Sequence, residues 1–310
     1  MRLVTFETGG ARHIGAVLTG ETTISDFTAA SDAAHFGDML ALIDGGERAL
    51  DEARALEAKP KAVVDLASVR LLAPVPVPRQ MFDCLCFEKH LVQSARNGHL
   101  VRGGPPVIPV NDGKIPEVYR ELPLYYKCNR FSVVGTGEDI VCPRYSTKLD
   151  YEMEFGVFLG RTLKNASPDE AADAIFGYCI FNDVSARDQQ MSEMRGMLGP
   201  SKGKDFDTGN VMGPWLVTAD AVDPSNLTMS VSINGAQVSS GTSADMMHSF
   251  PEIIAYSTQD ETRHAGEFFA SGTVGGGCGL ETGRLLAHGD VLEMEVSGLG
   301  RLRNRVVFQS

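Results

Sequence analysis

The sequence lacks the marks of several protein classes. Its six cysteines are scattered, and one residue separates the close pair Cys84 and Cys86, so neither a zinc ribbon nor a disulfide scaffold fits. No run of about 18 apolar residues is present to span a bilayer, so we expect no membrane partner. The first residues lack the charged and then apolar layout of a secretory signal, and we therefore expect a cytoplasmic protein.

Positive charge is scarce as well. The 28 Lys and Arg residues stand against 40 Asp and Glu, and the net charge of -12 argues against nucleic acid, whose affinity for proteins comes largely from phosphate neutralisation. A small anionic substrate would need local cations or a metal ion to overcome the repulsion from this net negative charge. A dinucleotide-binding dehydrogenase is disfavoured too, because the glycine-rich segment 272–279 leads into another strand signal and not into a helix.

What the sequence does contain is typical of a strand-rich protein. Its 310 residues are 43% hydrophobic and include 33 glycines, which recur beside short alternating runs. Strands are predicted at residues 2–6 and 13–18, and a helix at 49–58. The proline-rich segment 74–78 is a stiff extended connector and places a boundary between residues 70 and 79. We therefore predict a small N-terminal α/β domain, residues 1–75, and a catalytic domain, residues 76–310.

The second half of the chain is predicted to be largely β. From residue 141 onward, apolar and polar residues alternate with a period of two. Asn234-Gly235 predicts a hairpin turn, and segment 292–308 predicts a closing hairpin. Ser167, followed by proline and then Glu170, predicts a capped helix start, and another short helix is predicted at 250–257. The fold class is therefore mainly β, of the α+β kind.

Two glutamates are the first sign of chemistry. In the predicted strand 151–160 the odd positions are apolar, so Glu152 and Glu154 share the opposite face. Carboxylates about 7 Å apart at Cα repel each other unless a cation lies between them. Oxygen ligands favour Mg²⁺, with Mn²⁺ or Ca²⁺ as alternatives, over zinc. The plainer alternative is a solvated strand face.

A second segment favours the metal site. Residues 176–190 form an apolar strand that runs into polar groups, and Asp183 can supply a third carboxylate. Arg187 and Asp188 are expected to pair with each other as structural support.

Taken in order, the motifs of this chain resemble the fumarylacetoacetate hydrolase family over roughly residues 80 to 308. They are an acidic strand, an Asn-Asp-x-Ser-Ala-Arg-Asp-x-Gln signature, a lysine segment, a threonine loop and a C-terminal Gly-Asp strand. They lie at residues 150–154, 182–190, 203–218, 271–275 and 289–295. The resemblance implies a mixed β-sandwich or roll, a small-molecule oxo-acid substrate and a homodimer.

The resemblance also implies roles for ten residues. Glu152, Glu154 and Asp183 resemble the family's metal ligands, and Asp83 resembles an additional aspartate ligand of its carbon-carbon hydrolases. His90 resembles the catalytic histidine, Glu281 the acid that orients it, and Lys204 the lysine that stabilises developing negative charge. Tyr126, Gln190 and Thr273 resemble substrate-binding groups.

Several of these assignments have plainer alternatives. His90 and Lys204 can be structural or solvent-facing, and Thr273 can serve only the turn. Many smaller family members have a glutamate three residues after the histidine, where this chain has Gln93. Either Glu281 is the partner of His90, or the reaction is not a hydrolysis.

The activity implied by the resemblance is hydrolysis of a carbon-carbon bond in a 2,4-diketo acid or acylpyruvate-like substrate, in the breakdown of aromatic compounds or sugar acids. A 2-oxo-acid decarboxylase, dehydratase or tautomerase is the alternative on the same fold, because these reactions share an enolate. A non-catalytic metal-binding protein is the alternative from another class. Residues 96–121, rich in Gly, Pro and His, are expected to line or cover the pocket.

Overall fold

The computed structural model describes residues 1–103 and 114–309. Residues 104–113, part of the segment predicted to line the pocket, lie outside the described residues.

The described residues form nineteen strands and eleven α-helices. The strands are β1 Arg2–Thr8, β2 Ala11–Val17, β3 Thr23–Asp26, β4 Val63–Asp65, β5 Arg70–Leu71, β6 Met81–Cys84, β7 Tyr125–Lys127, β8 Val133–Val134, β9 Asp139–Cys142, β10 Leu149–Asp150, β11 Met153–Leu159, β12 Ile175–Asp183, β13 Ser185–Ala186, β14 Asn210–Thr218, β15 Thr228–Ile233, β16 Ala236–Thr242, β17 Phe268–Ala270, β18 Val291–Val296 and β19 Gly300–Phe308. The helices are α1 Phe27–Ala30, α2 Met39–Asp44, α3 Gly46–Ala58, α4 Glu88–Arg96, α5 His99–Arg102, α6 Val118–Glu121, α7 Pro168–Ala172, α8 Arg187–Met194, α9 Ser201–Lys204, α10 Phe250–Ser257 and α11 Gly279–Thr282. Within these ranges, none of the helices has the length and apolar character needed to cross a membrane.

Two β-sheets form the framework. The larger has twelve strands in the order β4-β3-β2-β1-β14-β12-β11-β17-β6-β7, with β5 beside β1 and β8 beside β14. The smaller has five strands in the order β16-β15-β18-β19-β9, and β10 pairs separately with β13. β11 is antiparallel to both of its neighbours, β12 and β17, whereas β17 and β6 are parallel. The strand-rich α+β fold expected from the sequence is confirmed.

The central strands of the large sheet are buried on both faces. On β11, Phe155 packs in one apolar core with residues of the small sheet such as Met294. Phe158, from the opposite face of β11, packs in a second core with helices α1 to α3. The sheet therefore lies between two apolar layers. Glu152 and Glu154 are only 5% and 1% exposed, so the alternative of a solvated strand face is wrong.

The N-terminal strands extend the large sheet. β1 pairs with β14, and Leu3 lies opposite Leu216. The sheet is therefore continuous from the first strand into the strands that hold the predicted site. The division into domains at residues 75 and 76 stays a prediction.

Local sequence signals set the ends of several elements as predicted. Ser167 caps α7 and forms a capping box with Glu170. Helix α10 occupies the predicted range 250–257. Asn234 and Gly235 have φ angles of 53° and 80°, the left-handed values that a two-residue hairpin turn requires. The closing hairpin of β18 and β19 is also confirmed.

The packing at the centre of β11 predicts the effect of a small substitution. A Cβ atom at Gly156 would lie 2.2 Å from Cζ of Phe268 and 2.6 Å from the carbonyl oxygen of Phe269. We expect Gly156→Ala to lower the free energy of unfolding by about 1–3 kcal/mol, because overpacking forces the ring or the strand to shift. Urea denaturation measures this change.

Gly160→Ala is the matched control, because it lies just beyond the same strand and its added atom would be 3.3 Å from the nearest neighbour. Its expected change is below about 1 kcal/mol. Equal destabilisation by the two substitutions would contradict the packing described here.

Candidate active site

The predicted site residues meet at one edge of the large sheet. Five neighbouring strands reach that edge in the order β12-β11-β17-β6-β7. Because β11 is antiparallel to β12 and β17, its first residues lie beside the last residues of both. Asp183 ends β12, Glu154 is near the start of β11, and Asp83 on β6 lies opposite Tyr126 on β7. Residues far apart in sequence are therefore brought to one place.

Asp83, Glu154 and Asp183 form a group of three buried carboxylates. One oxygen from each lies within 4.8 Å of the others. Burial and repulsion from Asp183 raise the pKa of Asp83 well above its usual range. Burial and repulsion from Asp83 do the same to the pKa of Glu154. Lys204 pairs with Asp183, but three negative charges at this spacing stay unfavourable without a further cation.

This carboxylate group fits a hard divalent cation. Within the described part of the chain, Oδ1 of Asp83 and Oδ1 of Asp183 are buried without a hydrogen-bond partner. Buried acceptors of this kind are normally satisfied. Glu154 is held in place by the N–H of Gly272 at 2.9 Å and the hydroxyl of Thr273 at 3.3 Å. Three oxygen ligands suit Mg²⁺, Mn²⁺ or Ca²⁺, and a dication would both satisfy the free oxygens and remove the repulsion.

Glu152 has different partners from Glu154. Nη2 of Arg187 donates to its Oε1 at 2.7 Å, and Nζ of Lys204 donates to its Oε2. Burial opposes the ionisation of Glu152, but Arg187 and Lys204 outweigh it and lower its pKa. Glu152 therefore lies among cations, beside the group of three carboxylates. Its role as a metal ligand stays a prediction.

Lys204 links the two parts of the site. Its Nζ also donates to the carboxylate of Asp183 and lies 3.2 Å from the carbonyl oxygen of Asp183. Burial disfavours the charge of Lys204, but Asp183 and Glu152 overcome this cost and raise its pKa. Lys204 is 3% exposed, so the alternative of a solvated loop lysine is wrong.

Arg187 does not pair with Asp188, and the expectation of that pair was wrong. Its Nε donates to Asp150 at 2.8 Å and its Nη1 donates to Oε1 of Gln190 at 2.9 Å, in addition to the bond with Glu152. Adjacent residues of a helix do not face each other, so Arg187 and Asp188 leave α8 in different directions. Arg187 therefore binds two predicted site residues, Glu152 and Gln190, directly.

Asp188 instead anchors the loop before the acidic strand. Its carboxylate accepts from the N–H of Thr147 at 2.9 Å and from the hydroxyl of Ser146. Asn182, at the other end of the signature, accepts at 3.0 Å from the N–H of Glu152. These side chains fix the backbone that presents the carboxylates.

His90 and Glu281 form a dyad. Nδ1 of His90 lies 3.2 Å from Oε2 of Glu281, and its Nε2 lies 3.7 Å from Oε1 of Glu152. Glu281 accepts from the N–H groups of Gly276 at 2.8 Å and Cys278 at 3.1 Å, so its position is fixed by backbone. His90 is buried, which rules out the solvent-facing alternative. In the tautomer whose Nδ1–H donates a hydrogen bond to Glu281, Nε2 carries no proton and can accept one.

Tyr126 and Gln190 complete the polar wall. The hydroxyl of Tyr126 donates to Oδ2 of Asp183 at 2.6 Å. Burial and the nearby Asp183 raise the pKa of Tyr126 well above its usual range, so the hydroxyl stays a donor. The carbonyl of Gln190 is occupied by Arg187, which leaves the amide nitrogen as its remaining donor group.

A cavity of about 430 Å³ joins these groups. Its volume lies within the roughly 300–1,000 Å³ that is typical of small-molecule sites. Nine of the ten predicted site residues line it, namely Asp83, His90, Tyr126, Glu152, Glu154, Asp183, Gln190, Lys204 and Thr273. The tenth, Glu281, contacts His90 instead. The structure therefore brings together all the residues selected from the sequence.

Sequence reasoning did not assign Arg187 or Asp150 to the site. Arg187 lines the cavity, and Asp150 binds Arg187 while accepting from the N–H groups of Gly279 at 2.6 Å and Leu280 at 3.2 Å. Asp150 thereby connects the acidic strand to the helix that carries Glu281. Its position two residues before Glu152, in the same acidic segment, was the signal that could have identified it.

Comparison with known proteins agrees with this geometry. The family model described as fumarylacetoacetate (FAA) hydrolase C-terminal matches residues 83–307. The chain is 30% identical over 313 residues to a mitochondrial oxaloacetate tautomerase of Xenopus laevis, covering 99% of this chain and 90% of that protein. It is 36% identical over 187 residues to 2,4-didehydro-3-deoxy-L-rhamnonate hydrolase of Sphingomonas sp. (strain SKA58), covering 59% of this chain and 65% of that protein.

Solved structures share the fold. Fumarylacetoacetate hydrolase from Exiguobacterium antarcticum matches with a TM-score of 0.76 and 27% identity, covering 100% of both chains. Maleylpyruvate hydrolase from Sphingobium sp. SYK-6, solved with manganese(II) and pyruvate, matches with a TM-score of 0.73 and 23% identity over 100% of both chains, a likeness that shows the fold alone. The relatives are enzymes named as hydrolases and tautomerases. This chain belongs to the fumarylacetoacetate hydrolase family.

Proposed function

We propose that the protein hydrolyses a carbon-carbon bond in a 2,4-diketo acid of the acylpyruvate type. The observation that carries the proposal is the His90–Glu281 dyad, which faces Glu152 and the carboxylate group across one cavity. Hydrolysis of a ketone needs a base for water beside a group that accepts the electrons of the broken bond. The site offers both functions within one small volume.

His90 acts as the base in this proposal. Glu281 orients the ring through Nδ1, so Nε2 takes a proton from water as the hydroxyl adds to the carbonyl carbon distant from the carboxylate. The bond between that carbon and the central carbon then breaks. The products are a carboxylic acid and the enolate of a 2-oxo acid, which takes up a proton.

Lys204 and Gln190 stabilise the negative charge that develops. Both line the cavity and both carry N–H groups, and Lys204 holds its proton firmly because Asp183 and Glu152 raise its pKa. Donors fixed in place before the reaction are usually the largest contribution to catalysis. Arg187 positions Gln190 by occupying its carbonyl oxygen.

A divalent cation fits the group formed by Asp83, Glu154 and Asp183, with Glu152 as a further predicted ligand. When bound, it supplies a Lewis acid for the two oxygens of a 1,3-dicarbonyl acid. We propose Mg²⁺ or Mn²⁺, since all three grouped ligands are carboxylates. The predicted homodimer and cytoplasmic location stay predictions.

Tautomerisation of a 2-oxo acid is the second candidate. It is favoured by the relative from Xenopus laevis, an oxaloacetate tautomerase that aligns with 99% of this chain. A single base such as His90 is sufficient to move a proton at the carbon between two carbonyl groups. The two candidates therefore differ in whether water attacks the distal carbonyl carbon or only a proton is moved.

His90 provides the test of the proposal. We expect His90→Ala to lower kcat/KM for 2,4-dioxopentanoate by about 10²–10⁴-fold, the range for loss of a general base. Release of pyruvate measures hydrolysis, and loss of deuterium from the substrate's central carbon measures proton transfer. His264→Ala is the control, because His264 is exposed and does not line the cavity.

Unchanged pyruvate release from His90→Ala would reject the role of the dyad. If the wild-type protein speeds the loss of deuterium from the substrate above the rate without protein, and no pyruvate is released, hydrolysis is rejected and the tautomerase is selected.

Metal binding can be tested without turnover. We expect Mn²⁺ to bind the wild-type protein in calorimetry and to raise its melting temperature, because a ligand that binds only the folded state stabilises it. Glu154→Gln should abolish both effects while the metal-free variant stays folded, since the substitution relieves repulsion among the three carboxylates. Glu47→Gln, at a side chain 86% exposed, is the matched control and should behave as wild type. If Mn²⁺ raised the melting temperature of Glu154→Gln as much as that of the wild type, the metal would bind elsewhere.

A further inference from the structure

We propose that the cavity selects oxo acids whose distal group is apolar and uncharged, and that Met191 and Met194 determine this preference. The inference rests on the proposed function for one point, that the oxo-acid end of the substrate lies at the carboxylates. It concerns the opposite end of the cavity.

One face of α8 runs from the charged end of the cavity to an apolar end. Arg187, Gln190, Met191 and Met194 all line the cavity, and their spacing of three, four and seven residues puts them on one side of the helix. At a rise of about 1.5 Å per residue, Met194 lies about 10 Å along the helix from Arg187. Arg187 contacts Glu152. The helix face therefore changes from cationic to apolar over the length of a small substrate.

Other elements add apolar surface to the same cavity. Leu85, Leu124, Leu280 and Tyr125 line it. The hydroxyl of Tyr125 accepts from Nη2 of Arg263 at 3.1 Å and keeps its own O–H as a donor, while its ring adds apolar surface. A chain of methylene groups or an aryl ring would replace water against these side chains favourably.

Among the side chains that the structure describes, the cations that line the cavity lie at its carboxylate end. Among the described residues that line it, the lysine and arginine side chains are Lys204 and Arg187, and both are paired with buried carboxylates. A distal carboxylate would therefore lose its water without gaining a counter-ion, which is unfavourable.

Two 2-oxo acids of equal length test the preference. 2-Oxooctanoate and 2-oxooctanedioate differ only in the distal carboxylate, and neither has the second ketone that hydrolysis requires. By calorimetry with the wild-type protein and Mn²⁺, we expect the monoacid to bind at least about tenfold more tightly. Lengthening the monoacid from 2-oxobutanoate should tighten binding about two- to fourfold per methylene. Equal or tighter binding of the diacid, or no binding of either acid, would overturn the inference.

A lysine placed at the distal end should reverse the preference. Met194 is 51% exposed, so Met194→Lys disturbs little core packing, and we expect at least about tenfold tighter diacid binding relative to the monoacid. Met197→Lys is the matched control, because it adds the same charge three residues later at a side chain 91% exposed that does not line the cavity. It should change either affinity by less than about twofold. Equal effects of the two lysines would show a general charge effect and overturn the assignment.

The outcome can be separated from that of the proposed function. If 2,4-dioxooctanoate is not cleaved while the monoacid preference in binding is intact, hydrolysis fails and the inference stands. If 2,4-dioxooctanedioate is cleaved faster than 2,4-dioxooctanoate, hydrolysis stands and the inference fails. Loss of that diacid turnover in Arg102→Ala would then identify Arg102, an exposed residue of α5 outside the cavity lining, as the binding group.

Discussion

The site depends on one buried guanidinium. Arg187 is 4% exposed and binds both Asp150 and Glu152, while Asp150 holds the start of α11 through two backbone N–H groups. Loss of one partner from such a buried network leaves an uncompensated charge, at a cost of about 3–5 kcal/mol in other proteins. The acidic strand, α8 and the helix that carries Glu281 are therefore placed relative to one another by the same side chain.

The two apolar cores make this electrostatic arrangement effective. Because the central strands are covered on both faces, the carboxylates at their ends lie away from water, where attraction and repulsion between charges are both strong. Burial and mutual repulsion raise the pKa of Asp83 and of Glu154 and favour a dication beside them. Attraction keeps Lys204 charged, so it can stabilise an enolate. The architecture thus determines the chemistry that the edge of the sheet can perform.

Much of this could be predicted from sequence because local rules act over a few residues. The capping box at Ser167, the turn at Asn234-Gly235 and the alternation in β11 each specify structure by themselves. The partners of Arg187 could not be predicted in this way, since Asp150 is 37 residues away and reaches it only through the pairing of β10 with β13.

Alternation also predicted that Glu152 and Glu154 share one side, and both line the cavity. Their partners differ, since Arg187 and Lys204 bind Glu152 whereas Gly272 and Thr273 bind Glu154, and alternation alone does not predict partners from distant segments. Helix α8 shows why such details matter for function. Its first turn orients Glu152 and Gln190, and its last turn carries Met194. The residues that we propose for catalysis and for substrate preference thus share one helix of eight residues, and we expect a change in its tilt to alter both together.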